Sequence, residues 1–451
     1  MPITLQGLAM TLDPTTRAAR RWTGSLALGL ALCLGGCDSV LEVNDPDIIT
    51  NADSPAGAIA LRNGVILRFA QAMDGGEDNP DGMFLLGGLM ADEWRSGDTF
   101  EQRNTTDFRT VNTTNSFINT LFRRANRVRV EGETAVAALR KWTPADSASI
   151  GRMWALMAFS ENQIGEFFCN GIPFSEVSGS QVIPGNPVSY DSAFRRAAYH
   201  ADSAFASAGT STDSAKTRVR NLAAVIKGRA LLNRDLPAAA AAAVATVPTT
   251  FQYRSEHSVN STNNSIWLQA VNLIRYAMAD NEGTNGLPFV SAADPRLPTF
   301  TVGHSFDNII PVVASPLLWN SRDSAVVIAS GVEARLIEAE AALRAGDATT
   351  WLAKLNAARA TRPGLGDLTD PGTDPARVDL TFRERAFWMY STGHRLGDLR
   401  RLIRQYGRNS ETVFPTGPWF KGGSYGSDVN FPIPFAEQNN PNFTACTDRA
   451  A

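Results

Sequence analysis

Gly393-His394-Arg395-Leu396-Gly397-Asp398-Leu399-Arg400-Arg401 lies within the run TFRERAFWMYSTGHRLGDLRRLIRQY of residues 381–406. Leu396, Leu399, Ile403 and Tyr406 fall at i, i+3, i+7 and i+10, which draws one apolar stripe along a helix. That helix is expected over about 380–405. Arg400, Arg401 and Arg404 fall largely off the stripe. They read as the solvated basic face of a core helix, with phosphate binding as the alternative. Asp398 is spaced to pair locally with Arg395 or Arg401.

Upstream, Leu336, Ile337, Glu340 and Leu343 share one side of a predicted helix over 333–344, and Gly346 suits its left-handed C-terminal cap. Trp351, Leu352, Leu355 and Ala358 then carry a second helix. An earlier hairpin repeats the form. Residues 217–232 place Leu222, Val225, Ile226, Ala230 and Leu231 on one face, and Pro237 opens an alanine-rich partner. Ala-Leu-Leu-Asn-Arg-Asp (230–235) aligns with Ala-Leu-Arg-Ala-Gly-Asp (342–347). The pair reads as two divergent tetratricopeptide-type units, or as generic helical hairpins. Further helices are expected near 53–73, 113–140, 146–167 and 189–207. Long Gly-, Pro-, Asn- and Ser-rich stretches separate them at 74–82, 170–188, 248–265, 281–321 and 408–446. Those stretches carry Phe289, Phe300, Trp319, Trp419 and Phe431, which argues for ordered, packed loops with a few short strands.

At the other end, Arg17, Arg20 and Arg21 precede an apolar run from Ser25 to Leu34, and Leu34-Gly35-Gly36-Cys37 follows. The run has the length of a signal-peptide core and is too short to span a bilayer. The ending resembles a bacterial lipobox. The resemblance implies a lipoprotein signal peptide over 1–36, cleavage before Cys37, acyl chains on that residue, and a leash over 37–50. A plain signal peptide with a chance cysteine is the alternative.

Together these pieces resemble the SusD/RagB family of outer-membrane nutrient-binding lipoproteins. The motifs are Arg335-Leu336-Ile337-Glu338-Ala339-Glu340-Ala341-Ala342-Leu343, Leu355-Asn356-Ala357-Ala358-Arg359, Glu384-Arg385 with Gly393–Arg401, Phe431-Pro432-Ile433-Pro434-Phe435-Ala436-Glu437, and Asn440-Pro441-Asn442. The resemblance implies a mainly α SusD-like fold, with tetratricopeptide-type hairpins overlaid by long ordered loops, as a single domain over 51–451. Where the family commonly has glutamates before Gly-His-Arg, this chain has Ala386–Thr392, so a thinner local ion-pair network is expected.

Composition bounds the chemistry. The 42 basic and 45 acidic residues lose three arginines and Asp13 with the signal, leaving a net charge of −5, which disfavours nucleic acid. Only Cys169 and Cys446 remain beyond Cys37, either bridged or as two free thiols. No H-E-x-x-H, P-loop or G-x-G-x-x-G motif occurs. His200, His257, His304 and His394 are scattered and read as hydrogen-bonding residues rather than metal ligands. The loop from Asp74 to Asp81 is rich in oxygen ligands but lacks EF-hand order, so it reads as an acidic turn before a calcium site. No metal or cofactor is expected.

Sugar recognition needs flat apolar faces for C–H surfaces and planar polar groups for hydroxyls. Asp92, Glu93, Trp94 and Arg95 bring both within a few residues, and Trp267 and Trp319 are further candidates. Each tryptophan has the alternative of lying buried beneath the loops. The resemblance implies a surface-exposed lipoprotein, held to the outer membrane by its lipid alone. It would bind an oligosaccharide or other nutrient and deliver it to a SusC-like TonB-dependent transporter, without enzymatic activity. A secreted glycoside hydrolase and a tetratricopeptide-type scaffold remain the alternatives.

Overall fold

The computed structural model describes residues 53–451 apart from 77–78, 179–180, 317, 444 and 447–448. The signal segment 1–36, Cys37 and the leash over 37–50 lie outside the described residues. Helix α1 (Pro55–Met73) begins where the Ser54 hydroxyl accepts from the Gly57 N–H and Pro55 fills the first turn. Helix α2 (Met83–Met90), with the sequence MFLLGGLM, is buried on every side. Then follow α3 (Glu101–Asp107), α4 (Ser116–Trp142), α5 (Ser147–Phe167), α6 (Tyr190–Ala208), α7 (Ser214–Asn233) and α8 (Pro237–Val244). The last four long elements are α9 (Gly331–Arg344), α10 (Ala348–Arg359), α11 (Asp374–Trp388) and α12 (Arg395–Tyr406). Packing runs α1 on α4, α4 on α5, α5 on α6, α6 on α7 and α7 on α8, and α9 then packs on both α8 and α10.

The two hairpins read from sequence are present as α7–α8 and α9–α10. Their turns pass through Asp235 and Gly346, both left-handed, and Arg344 reaches Asp235 at 2.9 Å to tie one turn to the other. Strands are short and form only two-stranded antiparallel ladders among the described residues. β1 (Trp94–Ser96) pairs with β7 (Tyr276–Met278), and β6 (Gln252–Ser255) with β10 (Val326–Ser330). β8 (Phe300–His304) pairs with β9 (Pro311–Ala314); β2 to β5 lie within 172–188. The loops pack as their aromatics predict: Phe289, Trp319, Trp419 and Phe431 are buried, although Phe300 is exposed. Cys169 and Cys446 form a disulfide across 277 residues, with Cα atoms 5.9 Å apart.

The decisive stretch departs from its reading in three ways. It is two helices rather than one, broken between Met389 and His394, with Ser391 at φ 52° and Gly393 at φ 74°. A Cβ on Gly393 would lie 2.4 Å from Gln163 Oε1 and 2.7 Å from Phe84, so only glycine fits the break. Its carbonyl accepts from Arg229 at 2.6 Å and from Gln163 at 2.9 Å. Second, Arg400 and Arg401 are buried rather than solvated. Arg400 donates to the carbonyls of Gly165 and Phe168 at the end of α5, capping groups the helix itself cannot pair. Arg404 is half-buried against Tyr190, and burial pushes its pKa down to about 10. As its spacing allows, Asp398 pairs with Arg401, and it also meets Arg385, whereas the Arg395 side chain turns to Asp92. Third, an ion-pair network is present although those glutamates are missing. Asp92 and Glu340 arrive from distant segments to meet Arg395 and Arg401, and Arg296 arrives to meet Glu384. Helices α2 and α3 were not foreseen, because α2 carries no amphipathic period and α3 is only two turns long.

Candidate functional site

Asp92, Glu93 and Trp94 are fully buried, which corrects their assignment as ligand contacts. Asp92 takes both nitrogens of Arg395 at 2.6 and 2.8 Å and the Leu287 N–H at 2.9 Å. Glu93 accepts from the Ser391 N–H at 2.8 Å, and the Trp94 indole donates to Ser391 Oγ at 2.9 Å. Burial raises the Glu93 pKa to about 8 although the Ser391 hydrogen bond opposes the shift, so the carboxyl is largely protonated at neutral pH. Glu93 and Trp94 fasten the 389–394 break to the strand β1, and Asp92 fastens the first residue of α12. They therefore cannot serve as an exposed acid–base pair.

The other candidates divide. Trp319 reaches Trp94 at 6.1 Å between ring centroids and is itself buried. Trp267 is half-buried beside Arg322, apart from that cluster. Arg95 is partly exposed; it pairs with Glu282, donates to the Asp280 carbonyl at 3.0 Å and lies over Phe420. Of the histidines, His200 meets Glu161, His257 meets Asp74 and His394 meets Glu333. The acidic turn is committed internally at both ends, Asp74 to His257 and Asp81 to Arg103, whereas Glu77 and Asp78 lie outside the described residues.

The exposed aromatic surface lies one loop beyond Trp94. Phe100 is 48% exposed and Phe306 is 52% exposed, both far above what a core phenylalanine shows. Arg275 joins them, its guanidinium 4.0 Å from the Phe306 ring centre and 5.4 Å from that of Phe100. Phe117 continues the surface edge-on to Phe100 at 6.2 Å. A concavity of about 580 Å³ opens beside Phe100 and Phe117, with Gln102, Ser116, Thr120 and Arg123 on its walls.

The platform is braced from below. Gly97 brings its loop onto the Phe306 loop so closely that a Cβ there would sit 2.6 Å from Ser305 Cβ. The Asp307 N–H donates to the Gly97 carbonyl at 3.1 Å, and the Phe306 N–H to that of Ile274 at 3.0 Å. Asp98 accepts Arg275 Nη1 at 2.8 and 2.9 Å and also meets Arg103, while Lys421 donates to the Asp98 carbonyl at 2.7 Å. Burial alone would raise the Asp98 pKa, but the Arg275 hydrogen bond and the Arg103 charge outweigh it and hold the carboxylate ionised below its ordinary range. Arg103 is itself pinned by both oxygens of Asp81 at 3.0 and 2.7 Å. Two apolar rings with a guanidinium edge between them can take the C–H face of a pyranose and donate to its hydroxyls. Sequence reading missed Phe100, Arg275 and Phe306. Phe100 closes the Asp92–Phe100 run and could have been weighed, whereas Arg275 and Phe306 carry no local signal.

No family model matches the sequence, and no curated protein matches it. Solved structures do. A SusD superfamily protein from Parabacteroides distasonis superposes with a TM-score of 0.65 at 13% identity, over 87% of this chain and 98% of the other. A SusD superfamily protein from Bacteroides thetaiotaomicron gives 0.62 at 15% identity, over 87% and 99%. A SusD-like carbohydrate binding protein from Bacteroides vulgatus gives 0.61 at 12% identity, over 86% and 97%. At such identities the likeness speaks for the fold. The chain has the SusD-superfamily fold, mainly helical with few short strands.

Proposed function

We propose that this chain is a nutrient-binding lipoprotein of SusD type, which captures an oligosaccharide and passes it to a SusC-like TonB-dependent transporter in the outer membrane. The observation that carries the reading is the exposed Phe100–Arg275–Phe306 platform on loops outside the helical hairpins. The carbohydrate-binding description of a structural neighbour supports the ligand class. The lipobox ending at Cys37 supports an anchored body facing the exterior, and tethering beside the transporter raises the effective concentration of loaded protein. Two acyl chains or more are needed for a stable anchor, which the lipobox supplies on one residue. The role is binding without turnover, because the adjacent carboxylates Asp92 and Glu93 are spent on internal contacts.

A calorimetric titration across a glycan panel tests the platform. Phe100→Ala with Phe306→Ala should weaken the preferred glycan by about tenfold or more, since stacking on each ring contributes roughly 1 kcal/mol. Unchanged affinity would overturn the site. Cys37→Ala should leave binding intact and abolish uptake by cells. Hydrolysis of the bound glycan by the purified chain would instead favour the hydrolase.

A further inference from the structure

Trp319 lines a second concavity, of about 600 Å³, on a different part of the molecule from the platform. Its walls come from the loop entering β6, from β10 and the first turn of α9, and from the end of α11 with the residues after it. Three arginines face this space, Arg254, Arg296 and Arg362, and no carboxylate lines it. Arg296 is neutralised from behind, by Glu384 at 2.8 Å and Asp294 at 2.7 Å. Arg254 and Arg362 are not. Arg254 donates only to the neutral Gln252 Oε1, at 2.7 and 3.2 Å, and Arg362 only to the Pro295 carbonyl, at 2.6 and 3.0 Å. Neither forms an ion pair among the described residues.

Three further features fit a polar ligand with an apolar face. Thr249, Thr250, Thr361 and Thr392 offer hydroxyls around the wall. Trp319 and Trp388 supply indole surface, and the buried Nε1 of Trp388 has no hydrogen-bond partner. The N-terminus of α9, 14 residues long, adds its partial positive charge through Ser330 and Val332 at the cleft edge. The nearest carboxylate on that helix, Glu333, is bound to His394 at 3.0 Å and does not line the space.

We infer that this cleft is a second saccharide site, selective for a unit bearing a carboxylate, such as a hexuronate. Arg254 and Arg362 meet the acid group, the threonines meet hydroxyls, and the indoles underlie the ring. This goes beyond the platform reading and stands on different residues, so either can fail alone.

The test titrates the purified full chain with trigalacturonate and with its neutral counterpart galactotriose. Trigalacturonate should bind at least about tenfold more tightly, with the preference shrinking as salt rises from about 0.05 to 0.5 M. Arg254→Gln with Arg362→Gln, both at the surface and compatible with folding, should remove the preference. Trp388→Phe should weaken trigalacturonate while retaining the ring. Phe100→Ala with Phe306→Ala should leave its binding unchanged. Equal binding of the two trisaccharides, absence of trigalacturonate binding, or a preference that survives loss of the arginine pair would each overturn the assignment. So would a preference lost with the phenylalanine pair, which would place the acid on the platform.

Discussion

The interior around Gly393–Arg401 and the surface around Phe100–Phe306 use the same residue types for opposite ends. Inside, Arg385, Arg395 and Arg401 each meet a carboxylate, and the surrounding rings exclude water. At the surface, Arg275 gives one nitrogen to Asp98 and keeps 19% of its side chain exposed between two solvent-facing rings. Residue type alone therefore does not mark a binding site here. What separates the two regions is whether a second segment covers them.

The largest test of this contrast is at its buried end. Asp398→Ala would leave Arg385 and Arg401 short of their shared partner and should cost about 3–5 kcal/mol in denaturant unfolding. A cost below about 1 kcal/mol would mean the network is not a structural clamp. The next effect comes from the tail. Cys446→Ala releases a 277-residue loop and should cost about 2–5 kcal/mol, read as a lowered melting midpoint under oxidising conditions.

A third test separates two buried carboxyls by pH. Glu93 is pushed up to about 8 by burial, so the folded state holds that proton more tightly than the unfolded chain does. Its contribution is complete below the ordinary glutamate range and is lost as pH rises toward 8. Asp398 runs the other way. Burial would raise its pKa, but the charges of Arg385 and Arg401 hold it far below the ordinary range, and its contribution is lost on acidification. Glu93→Gln should therefore flatten the decline in stability between about pH 5 and 8, and leave acid unfolding as in the parent. An unflattened profile would assign the decline to other groups. The smallest effect belongs to the surface: Phe100→Ala should change unfolding free energy by less than about 0.5 kcal/mol while glycan affinity falls. A large loss of stability there would erase the contrast.

The legible parts of the fold were those with a local period. The two hairpins and the apolar stripe on 396–406 follow from side-chain spacing along one helix. The break at 389–394 was not legible, because the competing demand comes from Gln163, Arg229 and Glu93, far away in the chain. The candidate site was legible only in part. Residue type singled out Asp92–Arg95, but the burial that withdraws Trp94 and presents Phe100 depends on strand β7 and on the 389–394 segment lying over it.

By itself, then, the sequence determined a helical chain with two hairpins and a charged signature, because periodicity and short motifs act over a few residues. Tertiary structure alone decided which arginines are clamps and which face solvent. It also decided which aromatics are core, because desolvation and partner geometry are set by segments far apart in the chain, as Asp92 and Arg395 are at a separation of 303 residues.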